Sequence, residues 1–281
     1  MGYIDFILNL AALLLWIKWR SLPFDPFNRR TPATLVGTLR RAAPSHFRRW
    51  HLLAGIGLLL VLRALFYWQI GSASTPAWVG KLDLEATVLP FVSNSFGRML
   101  LFSTFSFGLA IGIFYLWLLL LSILAGQTAK EQPIHRLVRM QLGGIDGWPR
   151  WAKIISPLAV TALVWGLASW PFAWLHPRQT MSAAHRIEES LVIGLGSYLA
   201  WKFIAAALLV LHLLNTYIYF GKHPFWNYVN VTAQNLIAPL RKIPLCAGKV
   251  DFAPVIGIAI IFFAAEMAER GLVWLYSRLP F

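Results

Sequence analysis

From Met99 to Leu124 the chain carries no charged residue. A helix needs about 20 such residues to cross the hydrocarbon of a bilayer. The alternative home for so long an apolar run is the core of a large soluble domain, and composition argues against it. Of the 281 residues 58% are hydrophobic and 13% are charged, whereas soluble domains carry roughly a quarter charged residues. There is too little polar surface to clothe a soluble fold. The expected class is an all-α, polytopic membrane protein.

Other apolar runs follow the same logic. Ile4 to Ile17 is short for a span and is weakened by Asp5 and Asn9, yet it reads as a first membrane helix flanked by Lys18 and Arg20. Leu52 to Ile70, Met99 to Leu124, Ile154 to Leu175, Leu191 to Phe220 and Pro254 to Tyr276 complete a set of six spans. Basic residues decide the orientation, because Lys/Arg-rich loops stay in the cytoplasm. Arg29, Arg30, Arg40, Arg41, Arg48 and Arg49 crowd the first loop, Lys130, Arg136, Arg139, Arg150 and Lys153 the second, and 221–251 is also net basic. Six spans with both termini outside put every strongly basic loop in the cytoplasm. In residues 71–96 the Leu-Asp-Leu-Glu stretch at 82–85 is expected to lie on the surface as a short amphipathic piece.

The formal charge of +14 therefore points to anionic lipid headgroups rather than to nucleic acid. Cys246 is the one cysteine, so neither an intramolecular disulfide nor a cysteine-based metal site is available. The start of the chain has no basic n-region and no small-residue cleavage site, and no cleavable signal peptide is expected. Tryptophans such as Trp50, Trp68, Trp117, Trp148, Trp151, Trp174 and Trp226 read as interfacial belts.

A polar, proline-containing stretch occurs twice at an offset of 105 residues, with Arg136, Gly143, Asp146 and Pro149 matching Arg241, Gly248, Asp251 and Pro254. Both copies precede an apolar run. A proline at the start of a helix loses no hydrogen bond, and an acid just before it caps the helix and complements its dipole. The spacing thus predicts two helix entries, on two parallel helix-loop-helix repeats over 97–176 and 190–281. Residues 1–96 form an N-terminal extension with two membrane helices.

The second copy resembles the YggT (YGGT) family of small membrane proteins. The likeness rests on His-Pro-Phe-Trp at 223–226, on Thr232, on Pro239-Leu-Arg241-Lys-Ile-Pro244 and on Gly248-Lys-Val-Asp251-Phe-Ala-Pro254. Ala253 stands where the family prefers serine, and Ala247 replaces the first glycine. The first copy lacks an equivalent of Pro244, and residues 1–95 match nothing in the short members. The resemblance implies a bacterial cytoplasmic-membrane protein. The family is linked to osmotic-stress tolerance or ion homeostasis, to cell division or nucleoid organisation, and to cytochrome assembly in photosynthetic lineages.

Ionisable residues inside spans are functional candidates by default. Matching depths along the helices predicts two buried pairs, Lys202 with Glu266 and Arg63 with Glu269. Glu266, Glu269 and Arg270 lie at i, i+3 and i+4 and are expected to share a face. His212 is expected to share a hydrogen bond with Asn215 rather than to ligate a haem, since no second histidine lies at its depth. No P-loop, dinucleotide fingerprint, zinc motif or nucleophile elbow is present. No cofactor is expected, and the expected function is non-enzymatic: an assembly or stress-response factor presenting its cytoplasmic loops to a membrane-protein partner or a second copy. The alternative is an ion transporter or channel lined by Arg63, Lys202, Glu266 and Glu269.

Overall fold

The computed structural model describes residues 2–21, 49–73, 78–84, 88–125, 133–175, 183–218, 223–240, 246–247 and 250–278. Arg29, Arg30, Arg40, Arg41, Arg48 and Lys130 of the basic loops lie outside these residues, as do Arg241, Pro244 and Gly248 of the second motif. The helices are α1 (Gly2–Ser21), α2 (Arg49–Ala73), α3 (Phe96–Leu124), α4 (Pro133–Leu142), α5 (Arg150–Leu175), α6 (Ala183–Gly196), α7 (Trp201–Tyr217), α8 (Pro224–Ile237) and α9 (Ala253–Ser277). Strands β1 (Val79–Asp83) and β2 (Val88–Val92) pair with each other, as do β3 (Cys246–Ala247) and β4 (Val250–Asp251).

Among the described residues four helical stretches are long and apolar enough to cross a membrane: Trp50–Ala73, Phe96–Leu124, Arg150–Ala168 and Ala184–Tyr217. Large side chains on their outer faces, among them Leu62, Leu163, Leu167 and Phe203, stay exposed. Apolar faces left open on helices of this length suit a protein embedded in lipid. Of the expected amphipathic piece at 82–85, Leu82 is buried and Asp83 exposed at the end of β1, and Glu85 lies outside the described residues. Alternation of apolar and acidic residues has a period of two, which is a strand's period and not a helix's.

The chain divides into two compact units, Met1–Leu82 with Pro90–Ile111, and Asp83–Leu89 with Gly112–Phe281. In the first unit Ala12, Ile56 and Phe107 form a core between α1, α2 and the first half of α3. Beside it Tyr67, Trp78, Phe91 and Phe102 pack as rings. In the second unit α6 lies tightly along α5. A Cβ on Gly194 would sit 2.9 Å from the Leu158 carbonyl oxygen and 3.2 Å from the Ala162 Cβ, so only glycine permits this approach. Gly194→Ala should therefore force the two helices apart and lower the melting temperature by several degrees, in line with overpacking costs of about 1–3 kcal/mol. Thermal unfolding in detergent checks this, and an unchanged melting point would contradict the close crossing.

The fifth run begins earlier than expected and is not one regular helix. A 3-10 segment, Ser197–Ala200, separates α6 from α7. Such an interruption disturbs the regular ladder of main-chain bonds. Trp117 Nε1 donates to the Ala200 carbonyl at 2.8 Å, and Trp201 Nε1 donates to the Leu116 carbonyl at 3.0 Å. Trp117 and Trp201 thus clasp α3 to the break. Leu209, Ala233, Ile237 and Ala253 join α7, α8 and the start of α9.

Candidate functional site

Two polar clusters stand out, one in each unit, and each is built on helical spacing. In the first unit, Asp5 and Asn9 are four residues apart on α1, Arg63 and Tyr67 four apart on α2, and Phe102 and Ser106 four apart on α3. Residues at that spacing share a face, and the three faces meet. Arg63 donates to Asp5 Oδ1 at 2.6 Å, to Asn9 Oδ1 at 2.7 Å and to Ser106 Oγ at 3.0 Å. Tyr67 donates to the same Asp5 oxygen at 2.6 Å, and Asn9 donates to Ser106 at 3.0 Å. The Arg63 guanidinium also lies 5.4 Å from the Phe102 ring centroid and 5.7 Å from that of Tyr67. Its side chain is 0% exposed against 21% for Asp5. The expected partner Glu269 is thereby corrected. Arg63 is neutralised by Asp5, the residue that weakened the first run as a span.

The second cluster surrounds Asp146. Helix α4 ends at Gly143, whose φ of 59° is left-handed, the conformation in which glycine most often closes a helix. The chain then makes a 3-10 turn, Gly143–Gly147, and the Pro149 carbonyl accepts the first bond of α5 from Lys153 N. The proline therefore starts a helix as its position predicts. The described contacts of the Asp146 carboxylate are with side chains and not with the main chain at the start of α5. It accepts a short hydrogen bond from the Ser122 hydroxyl of α3, and it lies 3.4 Å from His135 Nε2, 3.8 Å from Lys153 Nζ and 3.9 Å from Arg139 Nε. Lys153 donates to Ser122 Oγ at 2.8 Å and to the Asp146 carbonyl at 2.6 Å. Ser122, His135, Asp146 and Lys153 are all buried. Burial pushes the Asp146 carboxyl up, but the Ser122 hydroxyl, His135 and Lys153 outweigh it and hold the group below its ordinary value. Tyr228 of α8 packs its ring 6.3 Å from His135, and burial pushes its phenol up to about 12.

A serine beside a lysine is also the pairing of some hydrolases, where the amine takes the hydroxyl proton. Here that proton already points to Asp146, and the Ser122 oxygen accepts from Lys153. With the hydroxyl buried as well, the arrangement ties α3, the turn and α5 together rather than presenting a nucleophile.

The two motif copies differ locally. The first is a helix and a 3-10 turn, whereas the second forms the hairpin β3–β4, with Cys246 opposite Asp251 and Ala247 opposite Val250. Pro239 lies exposed in the turn after α8, and Pro254 is buried in the first turn of α9, but the expected cap by Asp251 is corrected: no side chain caps α9, and Asp251 is in β4. Arg136 is exposed on α4.

The remaining charges pair otherwise than depth predicts. Lys202 of α7 lies 3.5 Å from Glu269 of α9, not beside Glu266. Glu266 pairs with Arg270 on its own helix at 2.9 Å, while Glu269 beside them turns to Lys202. His212 shares its hydrogen bond with Asn230 of α8, at 2.9 Å, rather than with Asn215. Lys153 and Ser122 were missed as site residues. A lysine directly before an apolar run, seven residues after Asp146, is the signal that could have found Lys153; Ser122, inside a charge-free run, carries none. Among the described residues no cluster of histidine, cysteine and acid side chains could hold a metal ion. No family model matches the chain, and no match was found among the curated proteins or the solved structures.

Proposed function

We propose that this chain is a non-enzymatic, YggT-like protein of the bacterial cytoplasmic membrane, crossing it six times with the basic loops in the cytoplasm. In this reading α1 and α9 are spans as well, because Asp5 and Glu269, which count against them by composition, are spent on Arg63 and Lys202. The protein serves as an assembly or stress-response factor. The observation that carries the reading is that Arg63 and Lys202 each meet an acid on another helix of their own unit. Fixed pairs of this kind hold helices in register, whereas an ion path needs polar groups turned to water. Contact with a membrane-protein partner falls to the surface around the Asp146 cluster, where Arg136, Leu137, Trp148 and Trp151 are exposed. Exposed tryptophan and arginine are the residue types that dominate binding energy at interfaces.

Affinity purification in mild detergent tests this. A membrane protein should co-purify in stoichiometric amount, and Trp148→Ala/Trp151→Ala should reduce its recovery at least tenfold at an unchanged level of the bait. Recovery of the bait alone contradicts the assembly role.

A further inference from the structure

Helix α9 leaves one whole face uncovered. Val255, Ala259, Phe262, Glu266, Arg270 and Val273 are all exposed, at successive spacings of four, three, four, four and three residues. That rhythm keeps a seam on one side of a helix and is the spacing by which two helices pack along their length. An apolar seam alone would be satisfied by lipid. The centre of this one is not apolar: the Glu266 and Arg270 side chains are 56% and 72% exposed. Counting about 1.5 Å per residue, Glu266 lies roughly 20 Å from the start of a helix of 25 residues. With α9 as a span, this is the middle of the bilayer. Charged side chains at that depth almost always face protein or a water-filled cavity. Lys202 covers Glu269 from within the same unit. Among the described residues Glu266 and Arg270 pair with each other, on their own helix.

We propose that this face of α9 is a homodimer contact, with a second copy of the chain as its occupant. The inference rests on α9 being a span. The charges argue for a second copy because they complement themselves. A two-fold axis along the membrane normal, beside α9, sets two Glu266–Arg270 pairs together with equal residues at equal depth. Arg270 then needs to reach back one helical turn, about 5.4 Å, to meet the other copy's Glu266. Four charges alternate in sign around the axis and sum to zero. An isologous contact of this kind requires one surface to match itself, and a neighbouring plus and minus on the seam meet that requirement. Ala259 is the smallest residue of the six, and small residues are what let membrane helices approach closely.

Single-cysteine variants in a Cys246→Ser background, treated in native membranes with a short bismaleimide, test the proposal. Ala259→Cys and Phe262→Cys should give an adduct of twice the chain mass. Ile260→Cys, exposed on the flank of the seam, should not. Adding Glu266→Arg should cut the Phe262→Cys adduct at least tenfold, and Glu266→Arg/Arg270→Glu should restore it. A membrane-impermeant maleimide serves as control. If the seam cysteines resist it and still give no dimer adduct, the dimer is overturned and the span stands. An adduct of any other mass means that a different protein covers the face, which also overturns the dimer. Labelling of Phe262→Cys by the impermeant reagent removes the span, and the dimer with it.

Discussion

Asp5→Ala lowers the unfolding free energy in detergent by about 3–5 kcal/mol, the range for removing one member of a buried ion pair. The loss is large because of what remains. The Arg63 side chain is 0% exposed, and without Asp5 its hydrogen-bond acceptors among the described residues are the neutral Asn9 and Ser106. Tyr67 loses its acceptor at the same time. Removing both charges should be milder than removing one, since the cost lies in the orphaned cation. Asp5→Ala/Arg63→Leu should therefore regain most of the stability. Equilibrium unfolding of the three variants measures this. A cost of about 1 kcal/mol or less for Asp5→Ala, typical of a solvent-exposed pair, would mean that α1 is not held by Arg63.

The second large effect is expected at Asp146. Asp146→Ala takes the only carboxylate described in a cluster that holds Lys153 and His135, both buried, and frees the Ser122 hydroxyl. A loss of about 3–5 kcal/mol is expected here too. It should appear first as faster amide exchange in α4 and the following turn, because His135 attaches α4 to Asp146. The pH dependence has a definite sign. The Asp146 carboxyl is held below its ordinary value in the folded state, so folding binds fewer protons there than unfolding does. Its stabilising contribution is complete above the ordinary carboxylate pKa of about 3.9. It is lost as the pH falls through the depressed native value. Protection of α4 should drop across that acidic window in the wild type, and Asp146→Asn should abolish the drop. A wild-type profile that is flat below pH 4 would contradict the lock.

Length and lack of charge located the apolar helices. Leu52 to Ile70, Met99 to Leu124 and Ile154 to Leu175 lie wholly inside α2, α3 and α5, because an apolar run of that length with at most one charge, Arg63 in the first of them, has few alternatives. Partners were not legible. Depth along a helix follows from counting, but the choice of partner depends on which way a face turns. Lys202 meets Glu269 and not Glu266, although those two acids lie less than one turn apart. By composition Asp5 weakens a short helix as a span, yet it is the counter-charge of Arg63. The two signals sat 58 residues apart, with nothing local to join them. The motif around Asp146 marked a helix entry, and Pro149 fulfils it. The convergence of Ser122, His135 and Lys153 there comes from three helices meeting. Helices α4 and α8 escaped notice because short amphipathic segments between spans resemble loops by composition.

Ion flux distinguishes charges that are fixed ties within the helices from charges that line a path. Purified protein in proteoliposomes should pass protons and potassium no faster than protein-free liposomes. Lys202→Met/Glu269→Leu and Glu266→Gln should leave that rate unchanged. Flux at least tenfold above empty liposomes, abolished by either variant at equal protein content, would make these charges a path and not ties.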